Sequence, residues 1–273
     1  MSLLEIEDLL VRFPGRGWRA EAFTAVDGVN LDIRRGETVG LVGESGSGKT
    51  TVGRAILGLA PVSGGAIRFD GTEIGGLTRA RRRPLAARIQ VVFQDPYSSL
   101  NPTMSVADIL GEPLRAAGIP RARAREHVTA LLDQVELPRD AADRYAREFS
   151  GGQRQRVAIA RALALDPELV ICDEAVSALD LSTRDRILAL LIDIQERTGV
   201  AYLFVSHDIA VVRHISHRVA VMRQGRVLEF GSCAQVTSEP ADPFTARLLL
   251  SSLVADPDRQ RQRRNHRQET QKI

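Results

Sequence analysis

Gly43 to Thr50 reads GESGSGKT and satisfies the pattern G-x-x-x-x-G-K-[ST] at every fixed position. Glycines at 43, 46 and 48 let the backbone turn tightly, so that successive N–H groups point at one spot, where a following helix N-terminus adds roughly half a positive charge. Such a spot takes phosphate. Lys49 would reach the β- and γ-phosphates of a nucleoside triphosphate, and the Thr50 hydroxyl would ligate Mg²⁺. The contacts expected in this segment are Gly43, Glu44, Ser45, Gly46, Ser47, Gly48, Lys49, Thr50 and Thr51. A second chemical group is the pair Asp173-Glu174, which ends the apolar run Leu169-Val170-Ile171-Cys172. Two carboxylates at the end of a buried strand are unfavourable unless they act. Beside a phosphate loop, the first would orient Mg²⁺ and the second would polarise an attacking water.

Three further positions belong to the same reading. His207 follows the apolar run Ala201 to Val205, which places it at the same sheet edge as Asp173-Glu174. Gln94 ends a strand-like stretch from Arg88 to Phe93. Ser150-Gly151-Gly152-Gln153 precedes a helical pattern through Leu165, with Ser150 as N-cap and two glycines that allow close approach by another molecule. That would be a second anion-binding helix start, although taken alone the tetrapeptide reads more readily as an ordinary cap and turn.

These groups need elements to hold them. Thr38 to Val42 is a short apolar strand ahead of the glycine loop, and Thr51 to Leu59 has helical apolar spacing after it. Leu3 to Asp8 and Val26 to Ile33 alternate apolar and polar residues, as strands of a half-buried sheet do. Gly64 to Gly71 reads as a turn and short strand. Arg79, Arg81, Arg82 and Arg83 read as a solvated face. From Pro96 to about Phe149 strand patterns give way to helical spacing at Val106 to Ala117 and Arg121 to Val135, the mark of a helical insertion. Leu181 to Thr198 reads as a helix, and Arg218 to Met222 with Arg226 to Phe230 as a terminal hairpin around Gln224-Gly225.

Composition narrows the setting. The chain has 273 residues, 44% of them hydrophobic, enough to bury one large domain or a domain with a subdomain. It shows no signal-peptide pattern and no uncharged apolar run near the roughly 18 residues of a membrane span, so a cytoplasmic location is expected. Cys172 and Cys233 are too few for a disulfide framework and are expected to be reduced. A net charge of +3 invites a nucleic-acid reading, but six basic and three acidic residues between Ala255 and Ile273 account for all of it. That tail reads as a disordered, solvated extension.

Taken in order, the phosphate loop, Gln94, Ser150 to Gln153, Asp173-Glu174, the Ser177-Ala178-Leu179-Asp180 loop and His207 resemble the ATP-binding subunits of ABC transporters, over residues 3 to about 252. Val92 to Pro96, Ser98 to Pro102 and Phe149 to Arg156 resemble the oligopeptide, dipeptide and nickel importer branch. Pro243-Phe244-Thr245 with Leu248-Leu249 resembles its C-terminal segment. The fold so implied is α/β: a P-loop NTPase (RecA-like) core with N-terminal antiparallel strands and an inserted α-helical subdomain. The core would comprise residues 1–95 and 159–235, the helical subdomain 96–158, the branch segment 236–254 and the basic tail 255–273.

The resemblance also implies a mechanism shared between two chains. ATP held by Lys49 and Thr50 of one would be capped in trans by Ser150, Gly151, Gly152, Gln153 and Asp180 of a second ABC ATPase, in a homodimer or heterodimer. Glu174 would be the general base, Thr50, Asp173 and Gln94 would organise Mg²⁺, and His207 would hold the γ-phosphate. An aromatic upstream of the loop would stack adenine. Phe13 is the choice by spacing, with Trp18 and Phe23 as alternatives. Two integral membrane permease subunits and, indirectly, a solute-binding protein would be partners, placing the chain on the inner face of the cell membrane. No direct nucleic-acid contact is expected. Two departures stand out: Ala175 replaces a common Pro, loosening the loop to Asp180, and Asp242 replaces a common His, which weakens the expectation that the C-terminal segment docks. The competing readings are an ABC ATPase in a soluble complex of the phosphonate-cleaving type and a nucleic-acid-associated ABC protein.

Overall fold

The computed structural model describes residues 2–15, 22–95 and 99–251. Its centre is a six-stranded sheet in the order β10-β9-β3-β8-β7-β6. Here β3 is Thr38–Val42, β6 Ile89–Val92, β7 Leu169–Asp173, β8 Ala201–Ser206, β9 Arg218–Arg223 and β10 Arg226–Ser232. β6, β7, β8, β3 and β9 are mutually parallel, while β10 folds back antiparallel on β9. Parallel strands covered on both faces need apolar side chains on both, which is why these segments read as unbroken apolar runs. Alternation then sorts the residues: Leu203 and Val205 of β8 enter one core, and Tyr202 and Phe204 the other.

The first core is closed by a four-stranded antiparallel sheet, ordered β2-β1-β4-β5, and by α1. These are β1 (Ser2–Phe13), β2 (Phe23–Arg34), β4 (Gly64–Phe69), β5 (Thr72–Glu73) and α1 (Lys49–Leu57). Both N-terminal strands run further than the alternation implies, because the β1–β2 ladder continues to a Phe13–Phe23 pair. Two short helices follow, α2 (Arg79–Arg82) and α3 (Leu85–Arg88). Here the basic run is only partly a solvated face. Arg82 turns inward, donating to the Ile56 carbonyl at 2.7 Å and to that of Ile74, and burial holds its guanidinium below the ordinary arginine range. Each of those carbonyls thereby gains a side-chain donor.

The second core is covered by α4 (Val106–Ala116), α5 (Arg121–Gln134), α6 (Gly151–Leu163), α7 (Leu181–Thr198), α8 (Ile209–Ile215), α9 (Cys233–Ser238) and α10 (Pro243–Ser251). Ser105 caps α4, Ser150 caps α6 and Asp180 caps α7, each side chain accepting an N–H from the first turn. α7 stops at Gly199, whose φ of +70° suits the left-handed C-terminal position. The C-terminal segment docks despite Asp242: its Oδ1 accepts from Phe244 N at 2.7 Å, and Phe244 and Thr245 are buried. The aspartate itself thus caps the helix that follows. Residues 252–273, including the basic tail, lie outside the described residues, as do Trp18 and Pro96 to Ser98. Among the described residues no helix is long and apolar enough to cross a membrane.

Candidate nucleotide site

The glycine loop leaves the carboxyl end of β3, whose five residues are all buried, and α1 begins at Lys49 with Gly48 as its N-cap. Gly48 has φ +103°, and a β-carbon there would lie 2.4 Å from the Ala25 carbonyl oxygen. One at Gly43 would lie 2.0 Å from the Met222 carbonyl oxygen. Only glycine fits either place. No side chain caps α1, so its first-turn N–H groups remain available to an anion. Ser47 Oγ is buried with no hydrogen-bond partner among the described residues. Lys49 is 4% exposed and donates Nζ to the carbonyls of Gly43 at 2.9 Å and Glu44 at 2.8 Å. Burial lowers its ammonium from the ordinary lysine value, against the raising effect of Glu174 and Asp173. Glu44, Ser45 and Gly46 form the exposed rim, and Thr51 is half-buried in the first turn. A narrow glycine cradle, an uncapped helix start, an orphaned hydroxyl and a partly desolvated ammonium fit a polyphosphate.

β7 and β8 bring the other groups to this edge because they run parallel to β3 and end at the same level. Thr50 Oγ1 donates to Asp173 Oδ1 at 2.9 Å. Burial raises the Asp173 carboxyl; the Thr50 hydrogen bond lowers it and the neighbouring Glu174 raises it further. The next residue, Glu174, has φ +51°, unusual for a side chain with a β-carbon, and its N–H donates to the Val205 carbonyl at 2.9 Å. That twist points the carboxylate toward β8, where Glu174 Oε2 lies 3.3 Å from His207 Nδ1. Ser177 Oγ then donates to the Glu174 carbonyl, closing a turn in which Ala175 is buried. Gln94 is exposed just beyond the end of β6, the strand beside β7. Thus Lys49, Thr50, Asp173, Glu174, His207 and Gln94 occupy the carboxyl ends of four adjacent strands. This is where open parallel sheets place their ligands. Phe13 and Phe23 face each other across the β1–β2 ladder, 36% and 64% exposed.

Ser150 to Gln153 form a separate surface. Gln153 N donates to Ser150 Oγ at 3.4 Å, and Ser150 N donates to Gln153 Oε1 at 3.0 Å, a reciprocal capping box. A β-carbon on Gly152 would fall 2.4 Å from Thr183 Cγ2. Its missing side chain therefore serves packing against α7 within the chain, not only approach by another molecule. Thr183 N in turn donates to Asp180 Oδ1 at 3.0 Å, and Ser182 Oγ to the same atom at 2.8 Å. These bonds lower the Asp180 carboxyl to about 2. Thr183 thus joins the Ser150 helix start and Asp180 into one patch.

A family model described as "ABC transporter" matches residues 26–177, from within β2 through Ser177. The chain belongs to the ABC transporter family. Among solved structures, this cassette is similar to cbiO1 from Clostridium perfringens, part of the ABC transporter complex cbiONQ, with TM-score 0.77, 29% identity and coverage of 87% of this chain and 91% of that one. It is also similar to the ATP-binding cassette MJ0796, solved as a dimer in a post-hydrolysis state bound to ADP and Pi, with TM-score 0.74, 30% identity and coverage of 84% and 98%. Two curated relatives are the glutathione import ATP-binding proteins GsiA of Escherichia coli K12 and Shigella flexneri, each 49% identical over 267 residues. The match takes in 96% of this chain and 43% of each relative, so the ABC chain spans less than half their length.

The support beneath the loop has no signature in the sequence. Gly225 N donates to the Ser47 carbonyl at 3.0 Å, and Asp27 N donates to the Gly225 carbonyl at 2.8 Å. Sequence patterning shows Gln224-Gly225 only as a hairpin turn. Its place under the phosphate loop follows from β9 pairing with β3, a contact between segments nearly 180 residues apart.

Proposed function

We propose that this chain binds and hydrolyses MgATP as one half of a pair of ABC cassettes, and that the pair drives import of a peptide-like solute through membrane permease subunits. The observation that carries the ATPase reading is the convergence of Lys49, Thr50–Asp173 and Glu174–His207 on one sheet edge. Ser47, the loop N–H groups and Lys49 hold the β- and γ-phosphates. Thr50, Asp173 and Gln94 would hold Mg²⁺, which would offset charge on the phosphate oxygens. Glu174 takes a proton from water as its oxygen attacks the γ-phosphorus. The bond from that phosphorus to the bridging oxygen breaks, and ADP and inorganic phosphate leave. His207 orients Glu174 and the γ-phosphate. Little covalent chemistry is asked of the protein: positioning and charge carry the step.

The second half of the site comes from the partner cassette. Ser150, Gly151, Gly152, Gln153 and Asp180 form one patch that is exposed at Ser150 and Asp180, as a surface serving another molecule must be. The pair Phe13 and Phe23 offers aromatic area for adenine, Phe13 from β1 and Phe23 from the facing strand. Import is supported by the relatives named as glutathione import proteins, and glutathione is a tripeptide, within the peptide class the sequence resembles. Two permeases, a solute-binding protein and a place on the inner membrane face belong to this reading.

Glu174→Gln tests the chemistry. It should leave ATP binding near wild type and lower hydrolysis by about 10²- to 10³-fold, as loss of a transition-state contact does. Near-normal turnover would remove Glu174 from the base role. Purification with the native membrane partners, followed by assay of which solute and binding protein stimulate hydrolysis, tests import. Full activity in a permease-free complex with soluble partners would sink it.

A further inference from the structure

The turn that supports the phosphate loop is itself held from the opposite side by the C-terminal segment. On the loop side, residues 222–225 pack directly beneath it. The Met222 carbonyl stands where a Gly43 side chain would be, Met222 Cε lies 2.8 Å from a β-carbon placed on Gly48, and Gly225 N donates to Ser47 O. On the other side, the Arg223 guanidinium stacks 4.9 Å from the centroid of the buried Phe244 ring. Glu229, further along β10, accepts from Ala241 N at 2.9 Å through Oε1 and from Asp242 N at 3.2 Å through Oε2. One carboxylate thereby satisfies two backbone donors at the entrance to α10, and Asp242 caps the helix that carries Phe244.

Arg223 lies one residue after Met222 and two before Gly225, within a hairpin whose turn residues Gln224 and Gly225 both have positive φ. Such a turn has few accessible conformations, so a shift at Arg223 reaches Gly225 with little absorbed between them. We propose that α10 is a strut for the phosphate loop: Phe244 and the 241–242 backbone fix Arg223 and Glu229, the β9–β10 hairpin fixes Ser47 through Gly225, and C-terminal docking thereby sets nucleotide affinity. Arg223, Glu229 and Phe244 are positioning residues. None of them belongs to the site that holds phosphate. The loop's hydrogen-bond donors must converge within a few tenths of an ångström, so loosening their floor weakens binding more than it alters the bond-breaking step. This inference rests on the ATP-binding reading above.

The test uses the full chain and a fluorescent ATP analogue with Mg²⁺. Arg223→Ala and Glu229→Ala should each weaken nucleotide affinity by about tenfold and raise KM for ATP in parallel, with kcat within about twofold of wild type. Phe244→Leu keeps apolar packing but removes the ring face, and should shift affinity in the same direction. Arg139→Ala breaks an exposed ion pair with Asp133 remote from the hairpin, and should leave affinity unchanged. Hydrogen exchange over residues 241–251 reports whether the segment has been loosened. Faster exchange there with unchanged affinity overturns the strut, as does a loss confined to kcat. Should wild-type protein fail to bind the analogue, the ATP-binding reading itself falls, a result separate from failure of the variants alone.

Discussion

The two helix starts proposed to meet anions in this chain, those of α1 and α6, are built by opposite means. α1 begins at a glycine with φ +103° and no side-chain cap, so its N–H groups are unspent, and Ala25, Met222 and Gly225 buttress the loop from within the same chain. α6 begins at Ser150, whose side chain and that of Gln153 already satisfy two of the orphan donors. The first start leaves its donors free for a polyphosphate without help from a partner chain. The second has part of its binding capacity occupied by its own cap, and it lies open to solvent rather than in a cradle. A ligand gains less there, which suits the proposed role of the α6 start: it would contribute when a second cassette brings ATP already seated on its own loop. The asymmetry gives a physical reason for one site to be primary and the other completing.

The same small substitution on both sides gives the sharpest test. Gly48→Ala places a methyl against the Ala25 carbonyl at a φ that disfavours side chains, so ATP binding should fall by at least about a hundredfold. Gly152→Ala presses on Thr183 instead, and should leave ATP binding by the single chain intact while lowering hydrolysis. Equal loss of binding in both variants would break the comparison. Smaller in effect, Ser150→Ala removes the α6 cap and should lower stability by about 1 kcal/mol in denaturant titration, with single-chain ATP affinity unchanged. If it weakened that affinity, the α6 start would belong to the primary site.

What could be read before folding follows the same division. The edge formed by β3, β7 and β8 is legible because strands buried on both faces must be apolar throughout, and a polar residue ending such a run marks the carboxyl edge of the sheet. α7 is legible to the residue, Leu181 to Thr198 in the apolar spacing as in the fold. Contacts that depend on strand order are not. The Gly225 support for Ser47, the inward turn of Arg82, and the ring of Arg35, Asp70, Arg88 and Glu168 each join segments whose local patterns show only turns or charges. Register also recasts the aromatic question. Phe13 and Phe23 are separate candidates along the chain but neighbours across a ladder. Trp18 lies outside the described residues.

The subtlest difference between the two surfaces is how each holds its charge as pH changes. Asp173 at the α1 edge has a folded pKa raised by burial, so its ionised form opposes folding, and that penalty is relieved as pH falls through the raised value. Lys49 and Arg54 attract the carboxylate and Thr50 donates to it, but Glu174 repels it and burial outweighs the attraction. Asp180 on the other patch is held at about 2, below its ordinary 3.8. Its contribution is fully present above 3.8 and fades as pH falls toward 2. Asp173→Asn should therefore raise Tm at pH 7 while abolishing Mg²⁺-dependent hydrolysis, and its advantage should shrink on acidification. Asp180→Ala should lower Tm at pH 7, with a deficit that persists to about pH 4 and narrows only below it. Thermal melts of both variants from pH 7 to pH 3 separate the two signs. A constant Asp173→Asn advantage would mean that the carboxylate is not strained by its site, and that the α1 edge holds its charges as comfortably as the α6 patch does.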